Sequence, residues 1–307
     1  MMSFSSPPDT LQQILQEALD QDVEHFRSRT YAESTRKAYN CQTQSYLDFC
    51  RFMGYAPVPA TSGILCRYAA LLARSHKYTS IKQYLNAIRI LHLQWEVPNP
   101  LENNFSLNCI LKGIRRELGD SVSRKLPITP SLLLHILSCL DMNNVTHCFI
   151  WAAALVMFYA MLRRSNLLPK SANSFCAKRQ LLRKDIQFRK DGLIITIKWS
   201  KTIQFQERIL NLPLPRFKDH PLCPLQAVYR AFSMTPQLSP EGPALICVSN
   251  GKTQPLTVDI FLSVIRAALS TAGCDPGAYA GHSFRRGGAT WAHQNGIPID
   301  TIRQIGD

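Results

Sequence analysis

Cysteine pairs at metal-binding spacing are missing from this sequence: its ten cysteines lie scattered, with no Cys-x-x-Cys anywhere. That pattern excludes a zinc-finger architecture and reads as a reduced, intracellular chain, with no metal or other cofactor expected. Long apolar segments are missing too. The run CFIWAAALVMFYAML (148–162) spans fifteen residues and abuts two arginines, too short for a membrane crossing and suited to a buried core helix. The opening MMSFSSPPDT has neither the basic nor the apolar region of a secretory signal. Internal repeats and low-complexity tracts are likewise not found. These absences point to a soluble protein with no membrane partner.

Acidic residues are the remaining shortfall. The chain has 21 Asp and Glu against 35 Lys and Arg, a formal charge of +14. Such an excess favours a polyanionic partner, nucleic acid first, although a ribosomal or membrane-surface protein would share the balance. What is present in ordinary amount is apolar matter: 46% hydrophobic and 18% charged residues describe a globular chain, and 307 residues suffice for two cores. The charge is unevenly spread. Residues 1–120 carry 13 basic and 11 acidic residues, whereas 163–218 alone carry 14 basic and 3 acidic.

Residues 1–8 read as a flexible Ser/Pro leader. From Asp9 onward Leu11, Ile14, Leu15, Ala18, Leu19, Val23 and Phe26 recur at helical spacing. Further helices are expected over 34–53, from Thr61 or Ser62 to about Arg74, over 80–95 and over 105–117, giving an all-helical bundle over 9–117. Its cationic side chains Arg36, Lys37, Lys77, Lys82 and Arg89 either reach phosphates or line a solvated face. The polar stretch RRELGDSVSRKLP (115–127) holds a linker, 118–127. The second domain, 128–307, opens with helices over 130–141 and 145–162. The segment 184–215 then alternates like strands, with Asp191-Gly192 as a hairpin signal and WSKTI as a second reversal. A three-stranded antiparallel sheet follows, with Lys201 at or beside a turn, and then helices near 224–233 and 257–272. The fold class expected is mainly α with a small antiparallel sheet: an all-α bundle followed by a mixed α/β domain.

Two stretches carry candidate chemistry. In GHSFRRGGATWA (281–292), a helix starting near Ser283 sets His282 and Arg285 on one face. Free amides at a helix N-terminus, a forked guanidinium and an imidazole suit a phosphate. A surface arginine pair beside a capping histidine is the plainer reading. Gly287, Gly288 and Ala289 would let another backbone approach closely. In FYAMLRRSNLLP (158–169) an apolar helix delivers Arg163 and Arg164, which must either be buried or leave for solvent. An arginine buried without an anion is costly, and a bound phosphate would remove that cost.

Taken together the two stretches resemble the tyrosine recombinase (phage integrase) family. The family's first motif ends a buried helix with Leu-Arg followed by Ser-Glu-Leu-Leu; MLRRSNLLP is similar to it, with Asn166 where glutamate is usual. Its second motif, His-x-x-Arg, is read here as HSFR, and its hairpin-turn lysine as WSKTIQ. The resemblance spans roughly residues 20–307, and the wording is most like recombinases of eukaryotic mobile elements, of the Crypton or DIRS kind. It implies a helical core-binding domain and a catalytic domain that clamp duplex DNA from opposite sides, acting in the nucleus or elsewhere inside the cell, with a homo-oligomer on DNA as a further partner. By the same resemblance Arg163 and Arg285 clamp the scissile phosphate, Lys201 protonates the departing 5′ oxygen, and His282 assists as acid or base. Arg164, Lys198 and Arg286 are assigned only DNA contacts. A type IB topoisomerase shares this chemistry, but the Ser-Asn-Leu-Leu context and the helical bundle favour recombinase.

The family's nucleophile is a tyrosine C-terminal to His-x-x-Arg, which forms a covalent 3′-phosphotyrosine without ATP or metal. Here the last tyrosine is Tyr279, before His282, on the wrong side of the motif and read as structural. Three accounts follow: a chain truncated at its C-terminus, a domesticated copy that binds without cutting, or a tyrosine supplied in trans. The first is the expectation carried forward.

Overall fold

The computed structural model describes residues 9–121, 124–203, 205 and 207–306. The leader over 1–8, and Val122 and Ser123 of the expected linker, lie outside these residues. Two units make up the chain, Met1–Val122 and Ser123–Asp307.

The first unit carries α1 (Asp9–Ser28), α2 (Glu33–Met53), α3 (Ser62–Ala73), α4 (Tyr78–Gln94) and α5 (Phe105–Leu118). Capping sets two of the starts: the Thr61 side chain accepts the Ile64 N–H ahead of α3, and the Asn104 side chain accepts the Leu107 N–H ahead of α5. α2 packs on α4 and α3 on α5 around Tyr46, Leu65, Tyr68, Ile81, Leu85 and Ile88. Fully buried His92 joins this core. Its Nε2 accepts the Ala60 N–H at 2.8 Å and its Nδ1 lies 2.8 Å from the Ile88 carbonyl, which together require a neutral ring with the proton on Nδ1. α1 behaves differently from expectation. Its large apolar residues Leu11, Ile14, Leu15, Leu19, Val23 and Phe26 stay 51% to 68% exposed, so the core is built from α2 to α5. Helical periodicity defines an apolar face; it does not say what covers it.

The second unit is organised on α7 (Val145–Tyr159), whose residues Cys148–Phe158 are all buried. Each large side chain there contributes about 1.5–3 kcal/mol of burial. Around it lie α6 (Pro130–Ser138), the short α8 (Arg164–Leu167), α9 (Pro224–Ser233), α10 (Val258–Thr271), α11 (Gly281–Gln294) and α12 (Ile299–Gly306). An antiparallel sheet, β1 (Ile186–Phe188), β2 (Gly192–Ile197) and β3 (Leu210–Pro215), adds Leu193 and Ile195, paired with Leu214 and Leu212, to the same core. The molecule is thus mainly helical with small antiparallel sheets, as expected.

Two details depart from the expectation. α7 stops at Tyr159, not at 162: Ala160 caps it and Met161 takes a left-handed backbone, φ 49°. A helix continued to 162 would carry Arg163 onward in all-apolar surroundings; the turn leaves Arg163 half-buried and Arg164 exposed. A second hairpin, β4 (Ile246–Ser249) and β5 (Lys252–Pro255), was not anticipated. Asn250 and Gly251 make its turn with φ of 50° and 71°, the left-handed pair that an Asn-Gly sequence favours.

Candidate functional site

α11 supplies His282 and Arg285, and its placement is set by backbone contact. A Cβ at Gly287 would lie 1.9 Å from the Ile128 carbonyl oxygen, and one at Gly288 would lie 1.9 Å from the Phe158 carbonyl oxygen. Only glycine allows so close an approach, as the sequence suggested for these two positions. The segment before α6 is bound to the same helix region: the Leu126 N–H donates to the Ala278 carbonyl at 2.8 Å, and the Ile128 N–H to the Ser283 carbonyl at 2.9 Å. Buried Ser283 accepts the Ala280 N–H at 3.0 Å and fixes the start of α11.

Arg163 is the N-cap residue of α8, and Arg285 sits one turn into α11. Arg285 Nη1 donates to the Met161 carbonyl at 3.0 Å, so the left-handed residue that ends the α7 segment also orients the guanidinium. The stem of Arg164 lies over the first residue of α11: a Cβ on Gly281 would be 2.8 Å from its Cδ. His282 feels all three arginines. Burial of its ring lowers its proton affinity first, then the charges of Arg164, Arg285 and Arg163, in that order. These causes all favour the neutral form of the ring.

Lys201 stands on a tight turn. The Ser200 N–H donates to the Ile203 carbonyl and the Ile203 N–H to the Ser200 carbonyl, both at 3.3 Å. Ser200 Oγ also accepts the N–H groups of Thr202 and Ile203, at 3.1 and 3.2 Å. Ser200 and Ile203 are buried while Lys201 and Thr202 face outward. Asn166 of α8 reaches this turn: its Nδ2 donates to the Trp199 carbonyl at 2.7 Å.

The remaining basic residues divide. Exposed Arg286 donates through Nη1 to the Lys125 carbonyl. Partly exposed Lys198 forms an ion pair with buried Asp185. Arg183 is buried, bonded to Thr235 and the Phe232 carbonyl and stacked 3.9 Å from the Phe232 ring centre, and Lys184 pairs with Glu241 at 2.7 Å. Part of the positive charge in 163–218 thus serves the fold itself. Tyr279 is 7% exposed with its hydroxyl 3.9 Å from Cys274 Sγ, and burial pushes its phenol up, away from ionisation. Among the described residues no group of three His, Cys, Asp or Glu is placed to hold a metal ion, and no helix is long and apolar enough to cross a membrane.

Chemically, forked guanidinium groups around a neutral imidazole suit a tetrahedral anion: the forks take non-bridging oxygens and the ring accepts a proton. The structure gathers Arg163, Arg164, His282 and Arg285; Lys201 reaches α8 through the Asn166 bond. Sequence reasoning missed the part played by Met161, whose backbone carries no signal in its side chain. Asn166 was visible only as a departure from the usual glutamate.

No protein-family model matches the chain. It is similar to an integrase/recombinase, a XerD homolog of Selenomonas ruminantium, at 25% identity over 280 residues, covering 89% of this chain and 78% of that protein. Among solved structures it resembles the Tn1549 transposon integrase in complex with transposon right-end DNA, with a TM-score of 0.62 and 15% identity, over 92% of this chain and 89% of that one. It also resembles lambda integrase residues 75–356 bound to DNA, with a TM-score of 0.59 and 15% identity, over 95% and 91%. A lambda integrase tetramer bound to a Holliday junction superposes with a TM-score of 0.55 at 14% identity, over 99% and 82%. At these identities the structures speak for the fold.

Proposed function

We propose that the chain is a tyrosine recombinase of the integrase kind, on its similarity to a XerD homolog and to integrase structures, and that it binds duplex DNA and seats one backbone phosphate between Arg163 and Arg285. The observation that carries this reading is the convergence of Arg164, Arg285 and Arg163 on His282. Guanidinium groups gathered beside an imidazole match the charge and the oxygen geometry of a phosphate. In the family reaction the two arginines stabilise the charge on phosphorus, Lys201 gives its proton to the departing 5′ oxygen, and His282 handles a proton at the phosphate. Lambda integrase forms a dimer on a core site and a tetramer on a Holliday junction, and we extend that to this chain as a homo-oligomer on its DNA. The motif wording favours a recombinase of the mobile-element kind, Crypton-like or DIRS-like, acting in the nucleus.

Strand cleavage needs a nucleophile on the far side of Arg285, and the 307 residues hold no tyrosine after Tyr279. Tyr279 is buried against Cys274 and its phenol resists ionisation, so it is a poor substitute. By themselves these residues hold the phosphate and leave the strand uncut, which is also what a DNA-binding module derived from a recombinase would do. Incubation with a suicide DNA substrate tests this: no covalent protein–DNA adduct is expected, and a stable adduct would overturn the reading. Binding that prefers RNA and ignores Arg163→Ala and Arg285→Ala would overturn the DNA assignment itself.

A further inference from the structure

We propose that Asn166 is the positioning residue of the Lys201 turn, its side-chain amide holding the Trp199 backbone and tying the lysine to the helix that carries Arg163. The proposal rests on the phosphate-site reading above, in which Lys201 must stand at a fixed place beside the arginines. Asn166 is 2% exposed, and its Nδ2 lies 2.7 Å from the Trp199 carbonyl, two residues before Lys201. Its own N–H donates to the Arg163 carbonyl at 2.9 Å. A single residue is therefore bonded by backbone to one member of the site and by side chain to the turn of another. Phe205 and Ile209 beyond the turn are 90% and 64% exposed, whereas Ser200 and Ile203 within it are buried. At Trp199 the Arg179 guanidinium, 5.3 Å from the indole centre, adds a second restraint.

The residue type matters as well as the place. A carbonyl only accepts hydrogen bonds, and so does an ionised carboxylate. A carboxylate at this place cannot make this bond while charged; an amide can. Asparagine is thus a chemically specific choice here, which distinguishes a positioning role from simple filling of space.

Hydrogen exchange on the full chain tests it, with protection of the Ser200–Ile203 amides corrected for intrinsic rate at each pH. At pH 8, Asn166→Asp and Asn166→Ala should each lose protection about tenfold, the effect of one lost hydrogen bond. At pH 5 the two should part. Burial and Asp185 raise the new Asp carboxyl while Lys178, Arg179 and Lys198 of the same pocket lower it; once protonated its O–H can donate to Trp199, restoring protection to within about twofold of wild type, while the alanine variant stays loose. Full protection of Asn166→Asp at pH 8, or no recovery at pH 5, would overturn the proposal. Thermal unfolding verifies that each variant is folded, and the pH response of the Asp variant decides the matter even if the alanine variant is not. A third measurement adds duplex DNA at saturation and follows acylation of Lys201 by mass spectrometry. DNA should shield Lys201 in wild type and fail to shield it in Asn166→Asp at pH 8. Absence of shielding in wild type would count against the phosphate-site reading, while the exchange data would still judge the tether.

Discussion

The two units of this chain treat polar groups in opposite ways. Residues 1–120 are nearly charge-balanced, and the groove between α2 and α4, about 590 Å³, is lined by neutral hydrogen-bonding groups such as Thr35, Tyr39, Gln42, Gln83 and Asn86, with Lys82 among them. The second unit concentrates guanidinium groups on one histidine. Charge attracts any phosphate at long range, whereas neutral donors and acceptors act only at contact. The difference teaches that the second unit should dominate affinity and its salt dependence, and that substitutions in the two units should leave different signatures.

The largest expected effect is structural and confined to the second unit. Gly288→Ala places a methyl group 1.9 Å from the Phe158 carbonyl oxygen, and the overpacking should destabilise that unit by about 3 kcal/mol. Thermal unfolding should show that loss while the His92-containing bundle melts as before; coincident loss of both would dissolve the contrast between the units. Next come the arginines. Arg285→Ala and Arg163→Ala should each weaken duplex binding by roughly 10- to 100-fold, the range for a charge-assisted hydrogen bond. Lys82→Ala in the bundle groove should cost less than about threefold, measured by fluorescence anisotropy.

Salt separates the units further. Affinity should fall steeply between about 50 and 300 mM salt because phosphate contacts release counterions, and a flat response would contradict the assignment. Arg285→Ala should reduce the slope by about one, whereas Gln83→Ala should leave it unchanged. The smallest effect is in pH. A bound phosphate favours protonated His282, so binding takes up protons and affinity should rise a few-fold as pH falls from about 7.5 to 6. His282→Gln should flatten that response. In the free protein the sign reverses: the folded-state proton affinity of His282 is lowered, so the unfolded chain binds the proton more readily and stability declines as pH falls below the ordinary histidine value.

Much of the fold was legible because it rests on local rules. Thr61 announced α3 through its cap, and the all-apolar run at 148–158 announced the buried helix. The β4–β5 turn was equally legible in Asn250-Gly251, but the strands beside it are only four residues long and one of them, Lys252–Pro255, has no apolar alternation. Other features depend on contacts that no local pattern encodes. The early end of α7 follows from the left-handed Met161 and the Arg285 bond it receives from 124 positions away. The exposure of the α1 stripe follows from what does not cover it. At the site, Arg163, His282 and Arg285 were readable as motif residues, while the ion pair of Lys198, read as a DNA contact, with Asp185 has no local signal.

The glycines of α11 have one more consequence. Because that helix rests on the backbone of Ile128 and Phe158 with no side chain between, the spacing from Arg285 to the α7 end is fixed by peptide groups that every amino acid shares. Changes of side-chain size at Ile128 or Phe158 leave those two peptide contacts in place. The two glycines admit no such change, and the freedom of those neighbours is bought by their fixity.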